Sequence, residues 1–199
     1  MEKPYNFKRT FLLAMIISLS ISALIGIVIF LFGDFGETEG RLLMTTLTIG
    51  GYSLMGLCCS VLHERRTHNE FAVAGMVLSV LGFLFTVLVI WEALDMESEF
   101  TWKGIFSLLI LAFTAAHISL LLLIRSGSGI VKGALTATLA CIAIVAGMLL
   151  WFTYTGFDIE DEFFYRLLGV FSILDVLGTI VTPILHKVYS KEQDLPVRE

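Results

Sequence analysis

The chain has 199 residues, 57% of them hydrophobic and 16% charged, with a formal net charge of −5 and a mean hydropathy of +0.88. Soluble domains carry about a quarter charged residues, and here the apolar residues lie in long blocks, which excludes an ordinary soluble helical protein. No basic patch of the kind that binds nucleic acid is present, so no nucleic-acid partner is expected.

Six apolar runs follow a short basic N-terminal lead, and each is long enough to cross a membrane, since about 20 residues span a bilayer core of about 30 Å. The runs cover residues 11–32, 41–62, 71–94, 104–124, 130–154 and 163–188. The first is too long for the apolar part of a signal peptide, so we expect it to be retained. The sequence predicts an all-α polytopic membrane protein: one six-helix domain over 1–189 and a disordered cytoplasmic tail over 190–199.

Charge alternates from loop to loop along the chain. Ten of the 13 Lys and Arg residues lie on one side: nine in the N-terminal lead, in the turns after the second and fourth runs and from Lys187 onward, and Lys132 near the start of the fifth run. Eleven of the 18 acids lie on the other side, ten of them in the other three loops and Glu92 at the outer end of the third run. The positive-inside rule then places both termini in the cytoplasm and the acidic loops outside, in a plasma (inner) membrane.

Three cations recur at a constant spacing. Arg41, Lys103 and Arg166 are 62 and 63 residues apart, and each follows an acidic loop and opens a returning run. The pattern predicts three tandem two-helix hairpins in one orientation, as parallel repeats. The repeat units are about 9–64, 70–126 and 129–189. The alternative is that short outer loops are acidic, and end in a cation, for topological reasons alone. Each cation is expected to pair with nearby carboxylates or to contact anionic lipid.

Asp175 lies within the sixth run, nine residues after Arg166. At 1.5 Å per residue it lies about 13 Å along the helix, close to the membrane midplane. A carboxylate there costs about 2.5–3.5 kcal/mol, so it must face water or a partner helix. Its functional interpretation is a residue that couples to a proton or cation. The alternative is a neutral Asp that hydrogen-bonds to a neighbouring helix.

His117 is the second ionisable residue inside a run, fourteen residues after Lys103. It should lie about five residues deeper than Asp175, or about 7–8 Å along a helix axis. A direct pair between them therefore requires helix tilt or an intervening water. If they couple, they form a simple proton relay; otherwise His117 is a hydrogen-bonded packing residue.

Thr182-Pro183, with Gly178 one turn earlier, is a candidate hinge near the inner end of the sixth run. Proline removes a backbone donor and disfavours helix in the residue before it. The alternative is a simple bend that neighbouring groups accommodate.

The histidines and cysteines, which could bind a metal or take part in redox chemistry, do not form a recognisable site in the sequence. The histidines near the inner ends of the runs, His63, His68 and His186, lack the i, i+4 spacing of helical metal ligands, so no metal or cofactor is predicted. Three cysteines lie inside apolar runs and are interpreted as packing residues: Cys58, Cys59 and Cys141. Phosphate-binding and hydrolase motifs are also missing from the sequence, so we expect no enzyme.

Two functions remain open from the sequence. The first is a non-catalytic multipass membrane protein, an accessory or assembly subunit that packs in the bilayer against other membrane subunits or against itself. Its support is the number of small-residue stripes, which let helices approach closely. The second is a small proton- or cation-coupled transporter or channel that uses Asp175 with His117.

Overall fold

In the computed structural model every regular element among the described residues is an α-helix, and short turns lie between the helices. The described residues are 12–13, 16–17, 19–21, 23–24, 26–27, 36–65, 68–95, 98–124, 129–155 and 162–193, with side chains up to residue 189. Those between 12 and 27 are helical and belong to a first helix, α1. The other helices are α2 (Glu37–Glu64), α3 (Asn69–Ile90), α4 (Glu99–Leu121), α5 (Gly129–Tyr154) and α6 (Glu162–Gln193).

The five helices from α2 to α6 are all long and apolar enough to cross a membrane. This confirms the predicted all-α fold and is compatible with a multipass membrane protein. A sixth span and the repeat arrangement remain predictions. In the predicted third acidic loop, residues 156–161 lie outside the described residues.

Helix boundaries differ from the predicted runs by up to five residues at either end. α2 begins at Glu37 and α4 at Glu99, four and five residues before the predicted apolar runs. Acids assigned to the loops thus form the first helical turns, where the positive end of the helix dipole favours negative charge. At the other end, α6 continues to Gln193, so residues 190–193 of the predicted tail are helical, whereas 194–199 lie outside the described residues.

Contacts divide the chain into two units, 1–116 and 117–199, with the boundary inside α4. In the first unit α2 packs against α3. Cys59, Met76, Ala115 and Ala116 form its small apolar core. A Cβ on Gly75 would lie 2.5 Å from Cys59 Sγ and 3.3 Å from Ala115 Cβ, so the glycine lets these helices approach closely without moving either side chain.

In the second unit α5 packs against α6, and the contact is partly polar. Thr138 and Thr182 are both buried, and their hydroxyl oxygens lie 3.4 Å apart. Because Thr138 donates its proton to the carbonyl of Ala134 at 2.9 Å, its oxygen accepts from Thr182. A Cβ on Gly178 would lie 2.9 Å from Thr138 Cγ2, so this contact also depends on a glycine.

Candidate functional site

The structure brings together the two ionisable residues that the sequence singled out. His117 Nε2 of α4 lies 4.0 Å from Asp175 Oδ1 of α6. Both side chains are largely buried, with 21% and 15% of their surface exposed. Burying an ionisable side chain within membrane-spanning helices is costly unless it has a partner. Pairs of such side chains mark proton and ion pathways.

Thr179 connects the two groups. Its hydroxyl lies 2.9 Å from His117 Nε2 and donates to Asp175 Oδ1 over 3.4 Å. Since the hydroxyl proton of Thr179 points to the carboxylate, the oxygen of Thr179 accepts a hydrogen bond from Nε2–H of His117. The result is a directed chain from imidazole to hydroxyl to carboxylate.

Thr179 also explains how residues at different depths meet. His117 lies fourteen residues after Lys103, and Thr179 thirteen residues after Arg166, so the two are at nearly the same depth in their helices. Asp175 is one turn nearer the start of α6 and faces the same side as Thr179 at i, i+4 spacing. We expected helix tilt or a water between Asp175 and His117; a threonine one turn further along bridges them instead. The spacing could have indicated Thr179, but the sequence analysis overlooked it.

Asp175 and Thr179 belong to a stripe along one side of α6. Gly178 and Thr182 continue it, at the i+3 and i+7 positions from Asp175. The opposite side of the same helix is apolar and strongly exposed, with Ile173 70% and Val176 61% accessible. The stripe therefore separates a protein-facing side of α6 from a side that faces lipid or another chain.

The candidate hinge residues are part of this packing. Thr182 is fully buried and contacts Thr138, and Gly178 lies against the same threonine. Pro183 lies inside α6, whose helical backbone continues past it. Bending at this point stays a prediction.

Each of the three recurring cations pairs with the glutamate one turn earlier in its own helix. Lys103 Nζ lies 3.0 Å from Glu99, and Arg166 Nη2 lies 3.0 Å from Glu162. Arg41 forms the same i, i+4 pair with Glu37 at 2.6 Å. A glutamate at the first position also suits the helix dipole, which accounts for this order of charges. The expected ion pairs are present, and they lie within one helix in all three cases.

Arg41 makes one further ion pair, to Glu92 just after α3. Glu92 has φ 56°, a left-handed conformation that is uncommon for residues other than glycine. Close by, Trp91 Nε1 donates to Thr45 Oγ1 at 3.2 Å, which also joins α3 to α2.

The charged triad of Glu37, Arg41 and Glu92 lies beside a cleft of about 530 Å³, which we call the Arg41 cleft. Apolar side chains from three helices line most of it: Met44, Val89, Ile90 and Ile105. Thr48 and Thr86 add hydroxyl groups to the wall. The sequence does not predict this cleft, because a cavity between helices depends on their packing.

Metal ligands do not converge in the part of the chain that the structure describes: it holds no group of three or more His, Cys, Asp or Glu side chains placed to bind an ion. Cys59 is fully buried in the core of the first unit, with Cys58 packed against that core. These two cysteines thus occupy packing positions.

Comparison of the chain with protein-family models, with curated proteins and with solved structures gives no match.

Proposed function

We propose that this protein conducts protons across its membrane through His117, Thr179 and Asp175, without catalysing a chemical reaction. The observation that carries the proposal is the hydrogen-bonded chain of these three side chains inside membrane-spanning helices. Ionisable residues at such positions are costly to bury, and a connected pair is better explained by proton transfer than by packing alone.

The chain supports a balanced proton transfer. With His117 protonated and Asp175 ionised, Nε2 of His117 gives a proton to Oγ1 of Thr179. The hydroxyl of Thr179 gives its own proton to Oδ1 of Asp175. The step leaves a neutral imidazole, an intact hydroxyl and a protonated carboxyl, and the hydroxyl resets by rotation. Small movements that shorten the 3.4 Å contact would complete the path.

The ligand chemistry favours a proton over a metal cation. Hard cations are bound by several converging oxygens. Here the chain offers one carboxylate, one hydroxyl and an imidazole nitrogen, whose lone pair suits protons and softer metals. Sodium or calcium would find too few oxygen ligands among these three side chains.

The proposal is tested by proton flux in proteoliposomes. A pH-sensitive dye inside the vesicles reports flux driven by a potassium diffusion potential, and a sodium-sensitive dye serves a parallel sample. We expect proton flux with the wild type and no sodium flux. Asp175→Asn should reduce proton flux to that of protein-free vesicles. Thr179→Val should lower it by about tenfold or more, because it leaves a 4.0 Å gap between His117 and Asp175.

Two matched variants serve as controls. Thr136→Val removes an exposed hydroxyl on α5 that bonds the carbonyl of Lys132, one turn earlier in its own helix. Glu162→Gln removes an exposed carboxylate at the start of α6. Both should conduct as the wild type does. Wild-type flux no higher than that of empty vesicles, or undiminished flux in Asp175→Asn, would refute the proposal.

The proposed topology places both termini in the cytoplasm and the acidic ends of the hairpins outside, in a plasma (inner) membrane. Its support is the distribution of Lys and Arg among the short loops. Labelling single cysteines placed near Glu99 and Lys187, in a background that lacks the native cysteines, tests it in whole cells with an impermeant reagent. Labelling at Glu99 alone is the expected result.

We also propose that the three hairpins are tandem repeats. The support is that α2, α4 and α6 each begin with a glutamate that pairs with a cation one turn later. The glutamates are 62 and 63 residues apart, as are the cations. Convergence on a favourable helix start remains the competing explanation, and an experimental structure that superposes the three hairpins would decide between them.

The second candidate function is an accessory subunit that packs against other membrane proteins or against itself. The observation that favours it is the exposure of α6: 6% of its membrane-spanning window is buried, compared with 33% for α2. If wild-type vesicles show no proton flux while the protein co-purifies from native membranes at a fixed ratio with one other subunit, this function replaces the first.

A further inference from the structure

We propose that the Arg41 cleft binds an amphiphilic monocation, with its apolar body between α2, α3 and α4 and its positive charge beside Glu37 and Glu92. This site lies in the first unit and is independent of the proton path proposed for the second. The inference rests on the cleft's size, on the chemistry of its walls and on the balance of charge beside it.

The size and walls of the cleft suit a small organic body. Its volume of about 530 Å³ lies within the range of roughly 300–1,000 Å³ typical of ligand sites. Such sites are mostly apolar with a few placed polar groups. Here the apolar surface of Met44, Val89 and Ile90 is combined with the hydroxyls of Thr48 and Thr86, of which Thr86 also hydrogen-bonds Tyr52 at 3.3 Å.

The balance of charge selects a cation. Two carboxylates flank one guanidinium, so the triad carries a net charge of −1. Arg41 is already paired with both carboxylates, and 24% of its side chain is exposed. Glu37 and Glu92 are 78% and 71% exposed, so their remaining lone pairs are what an incoming ligand meets first. An anion would have to displace a carboxylate from Arg41, whereas a cation adds to the existing pairs.

The same chemistry has two sources, a free organic cation or the cationic end of a zwitterionic lipid headgroup. Both present a positive charge next to an apolar body. Binding of a free cation in lipid-free detergent, compared with binding in nanodiscs of phosphatidylcholine and of phosphatidylglycerol, distinguishes them. Competition by phosphatidylcholine alone would identify the lipid as the natural occupant.

The test uses two probes of nearly identical shape and opposite charge, tetraphenylphosphonium and tetraphenylborate. Equilibrium dialysis of the purified full chain measures their binding. We expect tetraphenylphosphonium to bind saturably and tetraphenylborate to bind at least about tenfold more weakly. Glu92→Gln should weaken the cation by about fivefold. The double variant Glu37→Gln/Glu92→Gln leaves Arg41 as the charge of the triad and should reverse the preference between the probes.

Steric and charge controls keep the result interpretable. Thr48→Phe fills the cleft without changing charge and should abolish saturable binding, whereas Thr136→Phe on the exposed side of α5 should not. Glu162→Gln removes an equivalent ion pair in the second unit and should leave affinity unchanged. If the double variant does not fold, the affinities of Glu92→Gln and Thr48→Phe for tetraphenylphosphonium decide the test. No saturable cation binding, equal affinity for both probes, or an affinity insensitive to Glu92 would overturn the proposal.

Discussion

The two units of this protein hold their helices together in different ways. In the first, α2, α3 and α4 meet through small apolar groups at Cys59, Gly75 and Ala115. In the second, α5 and α6 meet through threonines, and α4 meets α6 through a histidine and a carboxylate. In lipid, close van der Waals packing is sufficient to join helices, and polar contacts add only modest stability.

The difference shows where function is to be sought. Small apolar contacts carry no chemistry, so the core of the first unit is explained by packing. The polar stripe of α6 includes a carboxylate that lies near the imidazole of His117 on α4, and packing alone does not require either group. In the first unit, charged groups at the start of α2 and just after α3 lie beside the Arg41 cleft.

The largest expected effect on stability comes from a substitution in the second unit, where α5 packs against α6. In Gly178→Ala the new methyl would lie nearest to Thr138 Oγ1, 2.9 Å from Thr138 Cγ2 and 3.0 Å from Thr138 Cβ, and no side-chain rotation of Thr138 moves its Cβ away. We expect a loss of about 2–3 kcal/mol in the free energy of unfolding. Reversible unfolding in mixed micelles of a mild detergent and SDS measures it.

The control for this variant is Gly169→Ala on the same helix, where a Cβ meets nothing within 4 Å. It should be neutral or slightly stabilising, because alanine is the better helix former. Equal losses in the two variants would show that α5 and α6 do not approach each other at Gly178.

A smaller loss is expected from the equivalent change in the first unit. In Gly75→Ala the nearest obstacle is Cys59 Sγ at 2.5 Å, which can rotate, while Ala115 Cβ at 3.3 Å has to yield only slightly. We expect about 1–2 kcal/mol. Gly51→Ala, with open space around its Cβ, is the control and should lose nothing. A loss larger than that of Gly178→Ala would reverse the order of packing tightness proposed for the two units.

Removing the hydrogen bond between Thr138 and Thr182 should cost less free energy of unfolding than replacing Gly178 or Gly75 with alanine. Thr182→Val keeps the shape of the side chain and removes the hydroxyl that donates to Thr138 across 3.4 Å. Hydrogen bonds between membrane helices average about 0.6 kcal/mol, and we expect a loss of that size in the same unfolding measurement. Thr136→Val, with an exposed hydroxyl, should change stability less. A loss above about 2 kcal/mol would mean that the polar stripe is a main source of stability, against the comparison drawn here.

The smallest effects are expected at the helix starts. Glu99→Gln removes the partner of Lys103, whose side chain is 18% exposed, and Glu162→Gln removes the partner of Arg166, which is 73% exposed. Both losses should stay below about 1 kcal/mol, with Glu162→Gln the smaller. Added salt should reduce the second effect more than the first, because exposed pairs are screened more strongly. Equal, salt-independent losses would contradict this ordering.

Much of the architecture was predictable. The apolar runs correspond to α2 through α6 because membrane insertion depends on the local density of apolar residues, which is a property of sequence alone. The errors were at the ends: the acids of α2 and α4 were assigned to loops, and α6 runs four residues into the predicted tail. Hydropathy does not register the favourable position of a glutamate in a first helical turn.

The candidate site was predictable in part. Asp175 and His117 are conspicuous because ionisable groups are rare in membrane spans. Thr179 was missed because threonine is common in such spans, and its role appears only when depth is compared between two helices. The Arg41 cleft could not be predicted, since Glu92 and Arg41 are 51 residues apart in sequence and meet only through helix packing.

Local sequence thus determined which segments are helices, where acids and cations stand in them, and which buried residues can exchange protons, because each follows from composition over a few turns. Tertiary structure decided that α6 turns its polar stripe toward α4 and α5, that a threonine joins histidine to aspartate, and that a cleft opens beside Arg41. These features depend on the relative rotation and depth of separate helices, which distant side chains set through packing.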